Sequence, residues 1–315
     1  MARILVTRRL PGDAVDKLVA TGHDVDDGAG GLTREALLSR IAGCDAVICQ
    51  LSEQIDSAVL DAAGPQLQIV SNYAVGVNNI DLAACRERGI VVGHTPGVLT
   101  EATADLAWTL LLAAARWIVE GDRMVRSGTW SGWQPDQLLG ADLVGARLAI
   151  IGPGRIGTSV ARRSVGWRMD IVYVGRRSSP ELESLGASRV TIDEAFATAD
   201  VISLHVPLND QTHHLVDAQL LATMKGGAIL VNTARGAVVD EAALVDALNN
   251  GPIGAAGLDV YEEEPRVHPG LSACTNAVLA PHLGSATRQT RRKMAEIAVA
   301  NVLGVFDGEG PLHSP

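Results

Sequence analysis

Residues suited to one reaction stand just past three apolar runs late in the chain. Arg235 follows "GAILVN", Asp259 and Glu264 follow "IGAAGL", and His282 follows "AVLAP". An imidazole can protonate a carbonyl oxygen as hydride arrives at carbon, since its ordinary pKa of about 6.5 lies near working pH. A carboxylate such as that of Glu264 on the far ring nitrogen would fix the tautomer and stabilise the imidazolium. The guanidinium of Arg235 would bind the carboxylate of a 2-oxo acid and polarise the carbonyl beside it. The same residue types also have plain structural uses. One histidine among eight is more often structural, and acids at strand ends often only cap helices.

Hydride transfer needs a carrier, and "LAIIGPGRIGTSVARR" (Leu148–Arg163) supplies a place for one. An apolar strand runs into Gly152, Gly154 and Gly157, and a helix opens there. The first glycine permits a tight turn, the second lets backbone approach a pyrophosphate, and the third allows close helix–strand contact. Arg155 and Ile156 lie between these glycines, where a helix N-terminus offers free N–H groups to phosphates. The next strand, "DIVYV", ends at Gly175, Arg176, Arg177 and Ser178. An acid at that point would bond a ribose 2′-hydroxyl and repel a 2′-phosphate. Gly175 removes that repulsion and makes room, and Arg176 and Arg177 can grip a phosphate dianion. NADP(H) is therefore the expected cofactor, with NAD(H) possible. The plain alternative is a pair of solvated surface arginines.

These residues must be carried by strands that end side by side. The first hundred residues alternate strand-like and helix-like segments: "RILVT", "PGDAVDKLVATG", "REALLSRIAG", "DAVICQ", "SAVLDAAG", "LQIVSNY", "DLAACRERG" and "IVVGHTP". A long helix is expected from about Thr100 to Ser127, followed by "SGTWSGWQP". The alternation restarts at "ARLAIIGPG" and runs through "AVLAPHLG"; the last segment reads as one helix and a tail. Strands alternating with helices imply parallel sheets covered on both faces, and open parallel sheets bind ligands at the carboxyl ends of their strands. The length of 315 residues suggests two such domains. The expected bounds are 1–98 with 283–315 for a substrate domain and 99–282 for a dinucleotide domain, facing across a cleft.

Composition narrows the partners. Apolar residues make up 47% and aromatics only 3%, which favours buried branched strands over an aromatic binding surface. The net charge of -10 argues against nucleic acid and anionic membrane, so an anionic substrate needs a local positive site. Cys44, Cys49, Cys85 and Cys274 are scattered without metal-ligand spacing and read as free thiols in a reducing compartment. "MARILVTRRLPG" enters a strand at once, without the apolar core of a signal peptide, and "ADLAWTLLLAAARWIV" is too short to span a bilayer. A cytoplasmic protein is expected, with no metal.

The chain resembles the D-isomer-specific 2-hydroxyacid dehydrogenase family through "GPGRIG", "LHVPLNDQTHHLV", "VNTARGAVVDEAAL", "GLDVYEEEP", "APHLGSAT", "SNYAVGVNNIDL" and "TPGVLTEATADLAW". The likeness covers essentially the whole chain. It implies an α/β fold of two doubly wound parallel-sheet domains, Rossmann-type for the cofactor and flavodoxin-like for the substrate. It also implies Arg235 as the substrate-binding arginine, His282 as acid/base and Glu264, the acid just before Pro265, as its partner in preference to Glu262 or Glu263. Asp259 matches an aspartate that orients the nicotinamide carboxamide. Val75 and Gly76 match a loop whose N–H groups hold the substrate carboxylate. Thr103, His205, Pro207, Thr212, Thr233 and Gly284 fall on the cofactor side, whereas His213 and His214 read as exposed loop residues.

Within that family, "GRR", "SNYAVG" and "TWSGWQP" look most like glyoxylate/hydroxypyruvate reductases. There a tryptophan matching Trp133 enters the partner subunit's substrate pocket, and Leu51 matches a pocket wall. Trp130 and Trp133 could equally be packing in a homodimer. Val77 and Asn78 depart from the aromatic or aspartate frequent in those reductases, which leaves the exact 2-oxo acid open. The expected activity is NADPH-dependent reduction of small 2-oxo acids. The alternatives are a D-lactate-type or phosphoglycerate-type dehydrogenase, or a nucleotide-sensing corepressor-like scaffold. A formate dehydrogenase, which pairs its histidine with glutamine, does not suit Glu264.

Overall fold

The computed structural model describes residues 1–28 and 30–315. The chain divides into two compact units, Met1–Leu99 with Ser285–Pro315, and Thr100–Gly284.

The first unit holds five parallel strands: β1 (Arg3–Val6), β2 (Asp24–Asp27), β3 (Ala46–Cys49), β4 (Ile69–Asn72) and β5 (Val91–Gly93), in the order β2-β1-β3-β4-β5. The inner strands "AVIC" and "IVSN" are buried at every position, because helices cover both faces of the sheet. Helices between strands start at Thr33, Asp56 and Asp81, whose side chains accept the N–H three residues on. The helix Arg288–Phe306 lies against this sheet. Ser71 Oγ donates to the Ala298 carbonyl at 2.8 Å and the Tyr73 hydroxyl to that of Arg291 at 2.6 Å. The sequence pattern does not announce β2: "DVDD" has three acids in four residues and sits at a sheet edge, where full burial is not required.

The second unit holds β6 (Arg147–Ile151), β7 (Asp170–Val174), β8 (Ser188–Arg189), β9 (Val201–Leu204), β10 (Ile229–Asn232), β11 (Ala255–Leu258) and β12 (Ala277–Leu279). All pairings are parallel, in the order β12-β11-β10-β9-β6-β7-β8. The winding reverses between β6 and β9. Loops leaving the carboxyl ends of strands diverge at such a point and leave a ligand crevice. Apolar clusters line both faces of the sheet, one around Phe196, Leu230 and Leu244, the other around Leu111, Ile150 and Tyr173.

The single helix expected over Thr100–Ser127 is two helices, Thr100–Ala115 and Ile118–Arg126, bent by 65°. A contact distant in sequence breaks it. The Ala115 carbonyl accepts the Ala141 N–H at 2.9 Å, and Trp117 turns left-handed (φ 51°) with its indole N–H on the Leu139 carbonyl. A Cβ on Gly140 would stand 2.2 Å from that Ala115 oxygen, so only glycine lets the segments approach. Among the described residues no single helix is long and apolar enough to cross a membrane. All four cysteines are free and buried.

Candidate active site

The three glycines after β6 have different physical reasons. Gly152 has φ +99°, and a Cβ there would lie 2.8 Å from the His205 backbone, just past β9. A Cβ on Gly157 would lie 2.3 Å from the Gly152 oxygen. A Cβ on Gly154 would meet nothing within 4 Å, and its extended backbone suits any residue. The fold therefore requires the outer two glycines, while the middle one keeps open space above the first turn of the helix Arg155–Ser164. That helix has no side-chain cap, so the N–H groups of Arg155, Ile156 and Gly157 face this space without a partner among the described residues. At the end of β10 the Thr233 hydroxyl is buried and also lacks a partner there. Both features fit a dinucleotide laid along the strand ends.

The loop after β7 is held at both ends. Arg189, on β8, donates from Nε to the Gly175 carbonyl at 3.0 Å and from Nη2 to that of Arg176 at 3.1 Å. The Tyr173 hydroxyl accepts the Ser179 N–H and donates to Glu183. Arg176 and Arg177 are exposed, and their side chains make no hydrogen bond or ion pair among the described residues. Gly175 has a packing cause: a Cβ there would stand 2.6 Å from the Pro153 ring.

Other residues on this side are structurally engaged. His205 Nε2 lies 2.8 Å from Ser203 Oγ, and burial pushes the imidazole down to about 3, so it stays neutral. Thr212 donates to the Pro207 carbonyl and so shapes the loop after β9. Thr103 donates to the Gly284 carbonyl. His214, expected to be exposed, is half-buried with Nε2 3.1 Å from Glu262 Oε2; His213 is exposed. Its backbone explains the difference, because the His214 N–H bonds the Ala237 carbonyl and pulls the ring inward.

The segments leaving β10, β11 and β12 carry Arg235, Glu264 and His282. His282 Nδ1 lies 2.8 Å from Glu264 Oε2, so this nitrogen donates, and Nε2 makes no hydrogen bond among the described residues. Burial pushes the Glu264 carboxyl up, but the His282 hydrogen bond and charge, the Tyr261 N–H and the Arg235 guanidinium outweigh it. The carboxyl is held below its ordinary value and stays ionised. Arg235 is half-buried; burial lowers its pKa while the charge of Glu264 opposes that shift. Asn232 Nδ2 donates to the Arg235 carbonyl, fixing the strand-end turn.

Asp259 holds the histidine in place. It is buried, with Oδ1 accepting the Leu283 N–H at 2.6 Å and Oδ2 the Gly284 N–H at 2.8 Å, and its carbonyl accepts the His282 N–H. His282 has φ 54°, a left-handed conformation that costs a non-glycine residue about 1–3 kcal/mol, and these three bonds retain it. Burial raises the Asp259 carboxyl above its ordinary value despite both N–H donors. Tyr261 joins the strand ends: its N–H donates to Glu264 Oε1 at 3.1 Å and its hydroxyl to the Ala280 carbonyl at 2.9 Å. A Cβ on Gly236 would lie 1.8 Å from Tyr261 backbone, so the turn of Arg235 rests directly on this residue.

Leu51, Val75 and Gly76 belong to the first unit, on the loops that leave β3 and β4. Asn79 ties these loops together, donating from Nδ2 to the Gln50 and Glu53 carbonyls. Three consecutive carbonyls of the second loop have donors: Thr95 N–H to Ala74 (2.8 Å), His94 Nδ1 to Val75 (2.9 Å) and Asn72 Nδ2 to Gly76 (2.8 Å). In a trans peptide the C=O and the following N–H point in opposite directions. The N–H groups of Val75, Gly76 and Val77 therefore point away from those donors, and none has a partner among the described residues. Successive free N–H groups can bind an anion where the backbone turns them to one side. Trp133 lies on the loop after Arg126 and is 79% exposed.

Asn72, His94, Arg189 and Tyr261 also support these loops, although the sequence motifs do not single them out. Asn72, the last residue of β4, and His94, just past β5, carry a signal close to the one used for His282, a polar residue at the end of an apolar strand. Arg189 and Tyr261 act through contacts with no local signature.

The family model described as "D-isomer specific 2-hydroxyacid dehydrogenase, NAD binding domain" matches residues 108–284. The glyoxylate reductase of Thermococcus onnurineus (strain NA1) is 45% identical over 316 residues, covering 98% of this chain and 94% of the relative. The crystal structure of the TT0316 protein from Thermus thermophilus is 48% identical with a TM-score of 0.93, covering 99% of each chain. An NADPH-dependent glyoxylate/hydroxypyruvate reductase from Sinorhizobium meliloti, solved with NADP and malonate, is 32% identical with a TM-score of 0.88, covering 100% of this chain and 96% of that one.

Proposed function

Because this chain belongs to the D-isomer-specific 2-hydroxyacid dehydrogenase family and is an NAD(P)-dependent oxidoreductase, we propose that it reduces glyoxylate and hydroxypyruvate with NADPH. The observation that carries the reading is the His282–Glu264 bond of 2.8 Å, with the charge of Arg235 acting on the same carboxylate. The bound nicotinamide supplies hydride to the carbonyl carbon of the 2-oxo acid. His282 gives its Nε2 proton to the carbonyl oxygen, and solvent then restores that proton. Ionised Glu264 stabilises the imidazolium before transfer. Arg235 binds the substrate carboxylate and polarises the carbonyl; the Val75–Gly76 loop offers backbone N–H groups to a carboxylate. Leu51 limits the size of the substrate side chain.

Two further assignments belong to this reading. Arg176 and Arg177 bind the 2′-phosphate, supported by their unpaired side chains on a loop fixed by Arg189. The protein is a homodimer, supported by exposed apolar side chains concentrated between residues 118 and 144: Ile118, Val125, Trp130, Trp133, Leu139 and Val144. Trp133 then borders the partner's substrate pocket. The test is loss of reduced-nicotinamide absorbance with glyoxylate, hydroxypyruvate and pyruvate, each with NADPH and NADH. Fastest oxidation of NADPH by glyoxylate or hydroxypyruvate is expected. No oxidation by any 2-oxo acid would instead support a nucleotide-sensing scaffold.

A further inference from the structure

We propose that His94 is the positioning residue that locks the Val75–Gly76 peptide with its N–H presented to the substrate carboxylate. The inference rests on the reading of that loop as the carboxylate nest. Of the three peptides in the nest, the outer two have their carbonyls bound by the Thr95 N–H and by Asn72 Nδ2, and the middle one depends on His94 Nδ1. The middle peptide is also the one most free to turn, because it is followed by Gly76, and glycine accepts either sign of φ. Rotating it by half a turn would put a carbonyl oxygen where the N–H stands. A donor to the anion would become a repelling dipole.

His94 is itself firmly placed. Its N–H donates to the His313 carbonyl at 3.1 Å, its carbonyl accepts Asn301 Nδ2 at 3.0 Å, and the His313 N–H donates to Asn301 Oδ1 at 3.0 Å. Asn301 is fully buried on the helix Arg288–Phe306, and a Cβ on Gly93 would lie 2.8 Å from its side chain. This closed ring of three bonds fixes the backbone from which the imidazole reaches Val75. The last helix and the tail thereby reach the nest through one side chain.

The test compares His94→Ala with His94→Asn, since Asn Nδ2 occupies nearly the place of the histidine Nδ1. A lost hydrogen bond of this type corresponds to roughly a three- to tenfold change. His94→Ala should raise KM for glyoxylate and Ki for oxalate by about that much, with kcat and NADPH affinity within about twofold of wild type. His94→Asn should restore both constants. Unchanged KM and Ki in His94→Ala, or no rescue by asparagine, would overturn the proposal. In wild type with NADP, the backbone amide resonances of Val75, Gly76 and Val77 should shift on addition of oxalate. If they do not move, the nest reading fails as well. If they move while His94→Ala behaves as wild type, only the role of His94 is refuted.

Discussion

Replacing the glycines after β6 one at a time should separate what the fold needs from what the cofactor needs. At Gly157, an added Cβ would overlap the Gly152 oxygen at 2.3 Å, and backbone must move to relieve it. Overpacking of this kind costs about 2–3 kcal/mol. In a unit of this size each kcal/mol moves Tm by about 2–4 °C, so Gly157→Ala should melt about 5–10 °C lower. Gly154→Ala should not. Its Cβ meets nothing within 4 Å and its φ of −80° suits alanine. Two small effects oppose each other there: alanine caps a helix worse than glycine by roughly 0.5–1 kcal/mol, and it restricts the unfolded chain by about 0.4–1 kcal/mol. Stability should therefore hold while the new methyl occupies the path of the pyrophosphate. We expect dinucleotide affinity to fall about tenfold or more, equivalent to about 1.4 kcal/mol. Calorimetry and titration of cofactor fluorescence read the two effects separately. A Gly154→Ala protein that binds NADPH as tightly as wild type would refute the assignment of that space to phosphate.

Three other outcomes follow from the same geometry. Arg176→Ala with Arg177→Ala should lower the NADPH-to-NADH ratio of kcat/KM by at least about tenfold, since each charge-assisted bond contributes about 1.5–3 kcal/mol; an unchanged ratio would remove the 2′-phosphate assignment. Glu264→Gln should lower kcat and leave NADPH affinity intact, and wild-type kcat in this variant would show that the carboxylate charge is not used. His205, with an ordinary value of 6.5 and a folded value of about 3, binds its proton only in the unfolded chain between those limits. Stability should thus fall as pH drops below about 6.5, by up to about 1.4 kcal/mol per pH unit. His205→Gln should flatten that slope in calorimetry, and parallel curves would contradict it.

How much the sequence discloses depends on how local the cause is. Alternating apolar strands and helices pointed to the two parallel sheets, because a strand buried on both faces must be apolar at successive positions, as "AVIC" and "IVSN" are. The edge strand β2 escaped, since an edge carries no such demand. The bend near Trp117 escaped because its cause, the Ala141 N–H on the Ala115 carbonyl, comes from well beyond the helix in the chain. The glycine motif after β6 was visible as spacing, yet the different needs of Gly152, Gly154 and Gly157 emerged only with the surrounding atoms. Similarly, Gly175 suggested room for a phosphate, whereas contact with Pro153 already requires it. The donors behind the Val75–Gly76 loop come from two different strand ends, and Tyr261 reaches Ala280 across β11 and β12. Such contacts leave no periodic trace in the chain.

The most direct measurement is steady-state glyoxylate reduction by His282→Ala, with NADPH affinity determined on the same protein. Removing a positioned proton donor costs about 10²–10⁴-fold in turnover, so kcat should fall by at least about a hundredfold while NADPH binds within about twofold of wild type. A His282→Ala enzyme that turns over glyoxylate at the wild-type rate would contradict the account.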